Sequence, residues 1–259
     1  MQKIMRQDKG IIIDCGVPLD IMPFLIESTT DIPEISGYKF SAVSGMKGWL
    51  RWMETARGKT KKPIIIDGQK WGTDIPETGL PLIKSLKEAN FDAVILFPQS
   101  GPIVEYEWIS AAKEVGLPVI IGGDMTHPRF LDSDSKNTKE KNYDEIFRNL
   151  GIERKIPGFI RETAPSDIYE LAVKMGIRNF VLPGNKPEKI KECRELIEPI
   201  ANEEVTYFSP GFIAQGGNLT ESAKVAGKRF HAIVGRAIYG NGEYRKNVLD
   251  LVSKSESSV

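Results

Sequence analysis

Short apolar runs recur along this chain with amphipathic stretches between them, and this alternation constrains the fold more than any other feature. The runs are Gly10–Asp14, Gly37–Ala42, Pro63–Asp67, Asp92–Phe97, Pro118–Gly123, Asn179–Pro183, Val205–Ser209 and Ala232–Gly235. Each has the length of a buried strand. Between them, Leu80–Ala89, Val104–Val115, Ser166–Met175 and Pro187–Ile197 carry apolar residues at helical spacing and often stop at Gly or Asn. Strands alternating with helices form βαβ units and therefore a parallel sheet. At 259 residues the chain is long enough for one barrel or two smaller domains. Eight strands with helices between them fit one α/β domain, a (β/α)8 TIM barrel spanning residues 1–259, better than an open sheet.

One segment breaks the rhythm. From Arg129 to Thr163, after the fifth strand, the chain is polar and charged, with one short helical candidate at Tyr143–Leu150. Long excursions of this kind are functional loops or solvated insertions. On the active-site side of a barrel this one is expected either to act as a partial lid or to be a plain insertion, and its low apolar content predicts little contribution to the core. The tail Ser253–Val259 reads as frayed.

Charge and composition narrow the function classes. Lys+Arg and Asp+Glu balance at 35 each, so no global basic field of the kind that binds nucleic acid is present, and an anionic ligand must be caught by a local site. No run approaches the roughly 18 apolar residues of a membrane span, and the first ten residues lack a signal-peptide core. A cytoplasmic protein is expected. Cys15 and Cys193 are too few for a disulfide framework and read as ordinary thiols. His127 and His231 are far apart with no clustered ligands, so no metal site is expected.

Chemistry in a parallel barrel is built where the strands end at their C-terminal side. Asp14 ends the first strand, Lys39 lies in the second, and Asp67 ends the third, followed by Lys70 and Asp74. A lysine between aspartates keeps its proton, because nearby negative charge favours the ammonium form. Lys39 beside Asp67 would extend this into an alternating Lys–Asp–Lys–Asp array. The other reading is an ion-pair ring that merely holds the barrel mouth together. After the seventh strand come Ser209-Pro210-Gly211 and then Gln215-Gly216-Gly217, and Gly235-Arg236 closes the eighth. Barrels build phosphate sites at these two positions from glycine-rich loops, and the planar fork of Arg236 can grip phosphate oxygens. Glycine-rich turn chemistry alone is the alternative.

Taken together, Asp14, Lys39, Asp67…Lys70…Asp74-Ile75-Pro76-Glu77-Thr78, Asp124-Met125-Thr126-His127-Pro128, Pro210-Gly211…Gln215-Gly216-Gly217 and Val234-Gly235-Arg236-Ala237-Ile238-Tyr239 resemble orotidine 5'-monophosphate decarboxylase, especially its archaeal branch. The resemblance runs from about Gly10 to Tyr239, with the 129–163 excursion outside it. One spacing departs from the family pattern Asp-x-Lys-x-x-Asp-Ile: two residues separate Asp67 from Lys70, and three separate Lys70 from Asp74. An added residue in a strand turns a side chain to the opposite face, and a bulge at Gly68 or Gly72 would restore its aim.

The resemblance implies a homodimeric carboxy-lyase of pyrimidine biosynthesis that converts orotidine monophosphate to uridine monophosphate and CO2 without metal or organic cofactor. It implies that Lys70 stabilises charge developing at C6 and donates the proton, and that Asp67 sits against the departing carboxylate. Lys39 and Asp14 would meet the ribose hydroxyls and position Lys70. Thr126 would meet the pyrimidine edge. Arg236, Gln215 and the backbone at Pro210, Gly216, Gly217 and Gly235 would hold the phosphate. Asp74 and Thr78 would reach the neighbouring subunit's substrate, so that active sites are shared across a dimer. His127 is left as structural. Two other readings stay open: a metal-dependent sugar-phosphate decarboxylase or synthase of the same superfamily, and a non-catalytic nucleotide-binding homologue.

Overall fold

The computed structural model of the chain describes residues 3–41, 48–69, 71, 74–127, 129–134, 143–154, 156–211, 225 and 227–256. Its elements in chain order are β1 (Lys9–Asp14), α1 (Met22–Glu27), β2 (Ile35–Phe40), α2 (Trp49–Lys59), β3 (Ile64–Asp67), a 3-10 turn (Pro76–Thr78), α3 (Gly79–Glu88), β4 (Ala93–Leu96), α4 (Pro102–Val115), β5 (Val119–Gly122), α5 (Tyr143–Asn149), α6 (Ala164–Lys174), β6 (Asn179–Val181), α7 (Pro187–Ala201), β7 (Thr206–Pro210), β8 (Phe230–Val234), α8 (Arg236–Tyr239) and α9 (Tyr244–Glu256). The strands pair in sequential order and β8 closes on β1, giving a closed eight-stranded barrel. Every pairing is parallel.

The unbroken Ile-Ile-Ile runs follow from burial on both faces. Successive side chains of a strand point to opposite sides, and in a parallel barrel both sides are covered. Ile12, Ile65, Ile95, Ile120, Phe208 and Ile233 fill the barrel, while Ile11, Ile13, Ile64 and Ile66 pack outward against the helices. At the N-terminal end of the strands, His231 is fully buried, stacks on Phe208 at 5.4 Å and places Nδ1 3.0 Å from Ser36 Oγ. Burial pushes its imidazole down to about 4, so it is a neutral core residue. This explains why β8 starts at Phe230, two residues before the apolar run suggests: a polar side chain is accommodated inside by stacking and one hydrogen bond.

The excursion after β5 is fastened at its base. Leu131 and Ile160 form a parallel bridge, Asp132 N donates to Ile160 O at 2.7 Å, and Ile160 N donates to Phe130 O at 3.3 Å. Phe130 and Leu131 are buried. The expectation that the whole 129–163 run adds little to the core therefore fails at its ends, where backbone pairing draws two apolar side chains inward. Further out, Arg129 pairs with Asp144 at 2.8 Å and reaches Ile156 O at 3.4 Å. The C-terminal helix also runs to Glu256, past Ser253, where the sequence reads as frayed; Val248 on its inner face is fully buried and holds it.

Candidate active site

The strand register brings three of the expected charges together. Asp14 and Lys39 are direct partners across β1 and β2. Lys39 partners Ile65 on β3, two residues before Asp67, so the two-residue period points Asp67 to the same side. Lys39 Nζ lies 2.6 Å from Asp67 Oδ2 and 3.1 Å from Asp14 Oδ1. Lys39 is only 5% exposed. Burial alone would drive its ammonium down, but Asp14 and Asp67 together overcome that penalty and hold it above the usual lysine range. The result is a fixed cation between two anions at the barrel mouth, with Asp67 further held by Gln69 N at 3.0 Å.

Beyond Asp67 the backbone continues the sheet by one bond, Gly68 N to Ile95 O at 2.8 Å. Glycine is required there because a Cβ would sit 2.5 Å from Ile95 O and 3.2 Å from the Trp71 ring. Lys70 lies outside the described residues, as do Gly72, the second glycine expected to let a bulge aim it, and Thr73. Asp74 is exposed, and Thr78 Oγ1 donates to Ile75 O at 2.8 Å. The same carbonyl accepts from Trp108 Nε1 of α4 at 3.2 Å, which ties this segment to the barrel. Ile75 nevertheless leaves 57% of its surface exposed.

Of the expected phosphate site, Pro210 ends β7 and its carbonyl accepts from Gly184 N at 2.8 Å. Gly211 follows with φ of +102°, a backbone conformation natural to glycine. Gln215, Gly216 and Gly217 lie outside the described residues. Gly235 lies against β1 and α8, since a Cβ there would meet Asp14 Cβ at 3.2 Å and the Tyr239 ring at 3.3 Å. Arg236 begins α8 and is exposed.

Thr126 sits at the rim after β5, and here the structure adds residues that the sequence reading missed. Asp124 is 4% exposed. Lys186, in the loop after β6, places Nζ 3.2 and 3.3 Å from its two oxygens and 3.5 Å from Asp134 Oδ1. Burial raises the Asp124 carboxyl, and the Lys186 ammonium opposes that rise. Asn185 Nδ2 donates to Thr126 O at 3.1 Å. Tyr169 on α6 clamps the ends of β5 and β6: its hydroxyl accepts from Gly123 N at 3.0 Å and donates to Val181 O at 2.9 Å. Gln69 Nε2 lies 2.8 Å from Met125 Sδ, so the β3 and β5 loops border one mouth. The signal for Lys186 was present in the sequence: Pro183-Gly184-Asn185-Lys186-Pro187 puts polar side chains at a strand mouth, as Asp14 and Asp67 do. His127 is exposed and meets Phe130 edge-on at 5.6 Å. Burial pushes the thiols of Cys15 and Cys193 up, Cys193 to about 12.

Comparison with known proteins agrees with this architecture. The chain is 32% identical over 179 residues to the orotidine 5'-phosphate decarboxylase of Methanocaldococcus jannaschii, covering 69% of this chain and 67% of that protein. It belongs to the orotidine 5'-phosphate decarboxylase family. The enzyme of the same name from Methanococcoides burtonii is 28% identical over 191 residues, 73% of each chain. The crystal structure of the M. jannaschii decarboxylase complexed with the inhibitor BMP superimposes with a TM-score of 0.74 over 95% of this chain and 98% of that one, at 20% identity, a likeness of fold. No family model matches the chain. Among the described residues, no helix is long and apolar enough to cross a membrane.

Proposed function

We propose that this protein decarboxylates orotidine 5'-monophosphate to uridine monophosphate and CO2, in the cytoplasm and without metal or organic cofactor. The observation that carries the reading is the buried Lys39 held between Asp14 and Asp67 at the mouth of a barrel belonging to this family. The chemical difficulty is a carbanion at C6 with no adjacent electron sink. A fixed ammonium is the group that answers it, because a charge already in place costs no reorganisation when the transition state forms. Lys70 takes that role: it stabilises the developing charge and then protonates C6. Asp67 lies against the departing carboxylate. Lys39, kept cationic by its two carboxylates, orients Asp67 and meets the ribose hydroxyls with Asp14. Thr126 faces the pyrimidine edge. Arg236, Gln215 and the backbone at Pro210, Gly216, Gly217 and Gly235 hold the phosphate, whose remote binding energy orients the ring.

The active form is a homodimer in which Asp74 and Thr78 complete the neighbour's site. The exposed Ile75 supports this, as do Ile103 and Tyr106, exposed three residues apart on α4, the helix that anchors Ile75. Lys39 stands where a sugar-phosphate enzyme of this superfamily would need a carboxylate for its divalent metal. The wider Asp67–Lys70 spacing favours one second reading, a homologue that binds the nucleotide without turning it over. The test is loss of orotidine monophosphate absorbance on adding purified protein with a chelator present. Turnover under chelation supports the proposal. Turnover that requires added magnesium assigns the protein to the metal-dependent branch, and tight uridine monophosphate binding with no turnover assigns it to the binding homologue.

A further inference from the structure

We propose that Asn185 and Lys186 form a positioning bracket that sets the rim around Thr126 and thereby the choice of pyrimidine base. The inference rests on the functional reading above, in which Thr126 faces the ring edge. Two consecutive residues of the loop after β6 hold the rim after β5 at two points: Asn185 Nδ2 grips Thr126 O at 3.1 Å, and Lys186 Nζ sits 3.2 and 3.3 Å from the Asp124 oxygens. Asp124 Oδ1 in turn accepts from Met125 N at 2.6 Å, so the backbone from Asp124 to Thr126 is pinned at both ends. The same ammonium lies 3.5 Å from Asp134 Oδ1, and Asp134 Oδ2 accepts from Phe130 N and Leu131 N, each at 2.9 Å. One lysine therefore ties both Asp124 and the base of the excursion to the barrel.

The arrangement is costly unless it serves position. A carboxylate as buried as Asp124 carries a desolvation penalty that only a paired cation offsets, and an apolar residue would fill that space without it. In exchange, the rim is held by charge-assisted contacts that fix distance and direction. Discrimination at a polar ring edge depends on such fixity, because a mismatched base leaves buried donors and acceptors without partners. Lys186 and Asn185 act through Thr126 and are positioning residues.

The test compares Asn185→Ala, Lys186→Gln and Lys186→Arg with the wild-type protein by calorimetric binding of uridine monophosphate, cytidine monophosphate and ribose 5-phosphate. The two nucleotides differ only at the ring edge, and ribose 5-phosphate reports the phosphate grip alone. The expected result is a loss of about tenfold in the preference for uridine over cytidine monophosphate in Asn185→Ala and Lys186→Gln, the scale of one displaced hydrogen bond. Ribose 5-phosphate affinity should be unchanged and Lys186→Arg should restore the preference. A merely structural role would lower all three affinities together, and that outcome overturns the bracket, as does an unchanged preference. If Lys186→Gln does not fold, Asn185→Ala decides, because it leaves every ion pair in place. A wild-type protein that neither binds uridine monophosphate nor turns over orotidine monophosphate refutes the functional reading itself, which separates the two failures.

Discussion

The environment of Glu105 makes a large demand on pH. It lies in the first turn of α4, only 2% exposed, and its Oε1 has no hydrogen-bond partner among the described residues. Burial raises its carboxyl from 4.5 to about 8, so it is neutral in the folded protein at pH 7 and ionised in the unfolded chain. A carboxyl raised on folding contributes stability that is fully present below about 4.5 and is lost as pH climbs through about 8. At about 1.4 kcal/mol per pH unit, that span corresponds to about 5 kcal/mol. Water entry around an ionised Glu105 relieves part of this, leaving about 2–5 kcal/mol. Glu105→Gln keeps the shape and removes the titration. Urea unfolding of both proteins at pH 5 and pH 9 should show nearly equal stability at the lower pH and a variant more stable by that amount at the higher. Subtracting the two proteins matters, because His231, lowered to about 4, works in the opposite direction: its contribution is present above 6.5 and lost as pH falls toward about 4. If the difference between wild type and Glu105→Gln does not change from pH 5 to pH 9, Glu105 is not a buried neutral acid and the reasoning fails.

Three other outcomes are expected. Lys70→Ala should lower kcat by about a thousandfold or more while uridine monophosphate still binds, because the interaction acts as charge develops; Arg236→Ala should instead raise KM about 10- to 100-fold for the phosphorylated substrate only, and steady-state kinetics on both variants distinguish the roles. Replacing residues 135–155 by a short turn should cost about 1 kcal/mol or less, since it sacrifices the partly exposed Arg129–Asp144 pair; removing 129–163 entirely should cost about 1.5–3 kcal/mol for each of the buried Phe130 and Leu131, as thermal melts would register. Slower turnover in the shorter deletion would mark the excursion as a lid, and unchanged kinetics a plain insertion. Finally, if the proposed homodimer shares its sites, co-refolding inactive Lys70→Ala and Asp74→Ala chains should restore about a quarter of wild-type activity, because about half of such dimers would be mixed and each would have one intact site of two; a mixture as inactive as its parents, with a wild-type control that refolds, places Asp74 in its own subunit's site.

The barrel was legible in the chain because its determinants are local and periodic. Runs such as Ile11-Ile12-Ile13 and Ile64-Ile65-Ile66 state burial on both faces, and their eightfold recurrence between helical segments leaves few other ways to close a sheet. Asp14, Lys39 and Asp67 were legible as charges at strand mouths for the same reason. Tertiary structure alone decided which of these charges meet. Register put Asp14 opposite Lys39 and aimed Asp67 at the same ammonium, and register depends on pairing between strands 20 or more residues apart in the chain. The same holds for Lys186, which finds Asp124 across 62 residues of sequence, and for Phe130 and Leu131, which are buried because the far end of a polar excursion returns to pair with them. Glu105 shows the limit most plainly: a glutamate in a helix reads as a solvated face, and only the packing of α4 against its neighbours makes it a buried acid. Periodicity records which way a side chain points along its own element, whereas a pair of charges, a buried acid or a pinned loop is a property of two elements at once and exists only when the chain has closed.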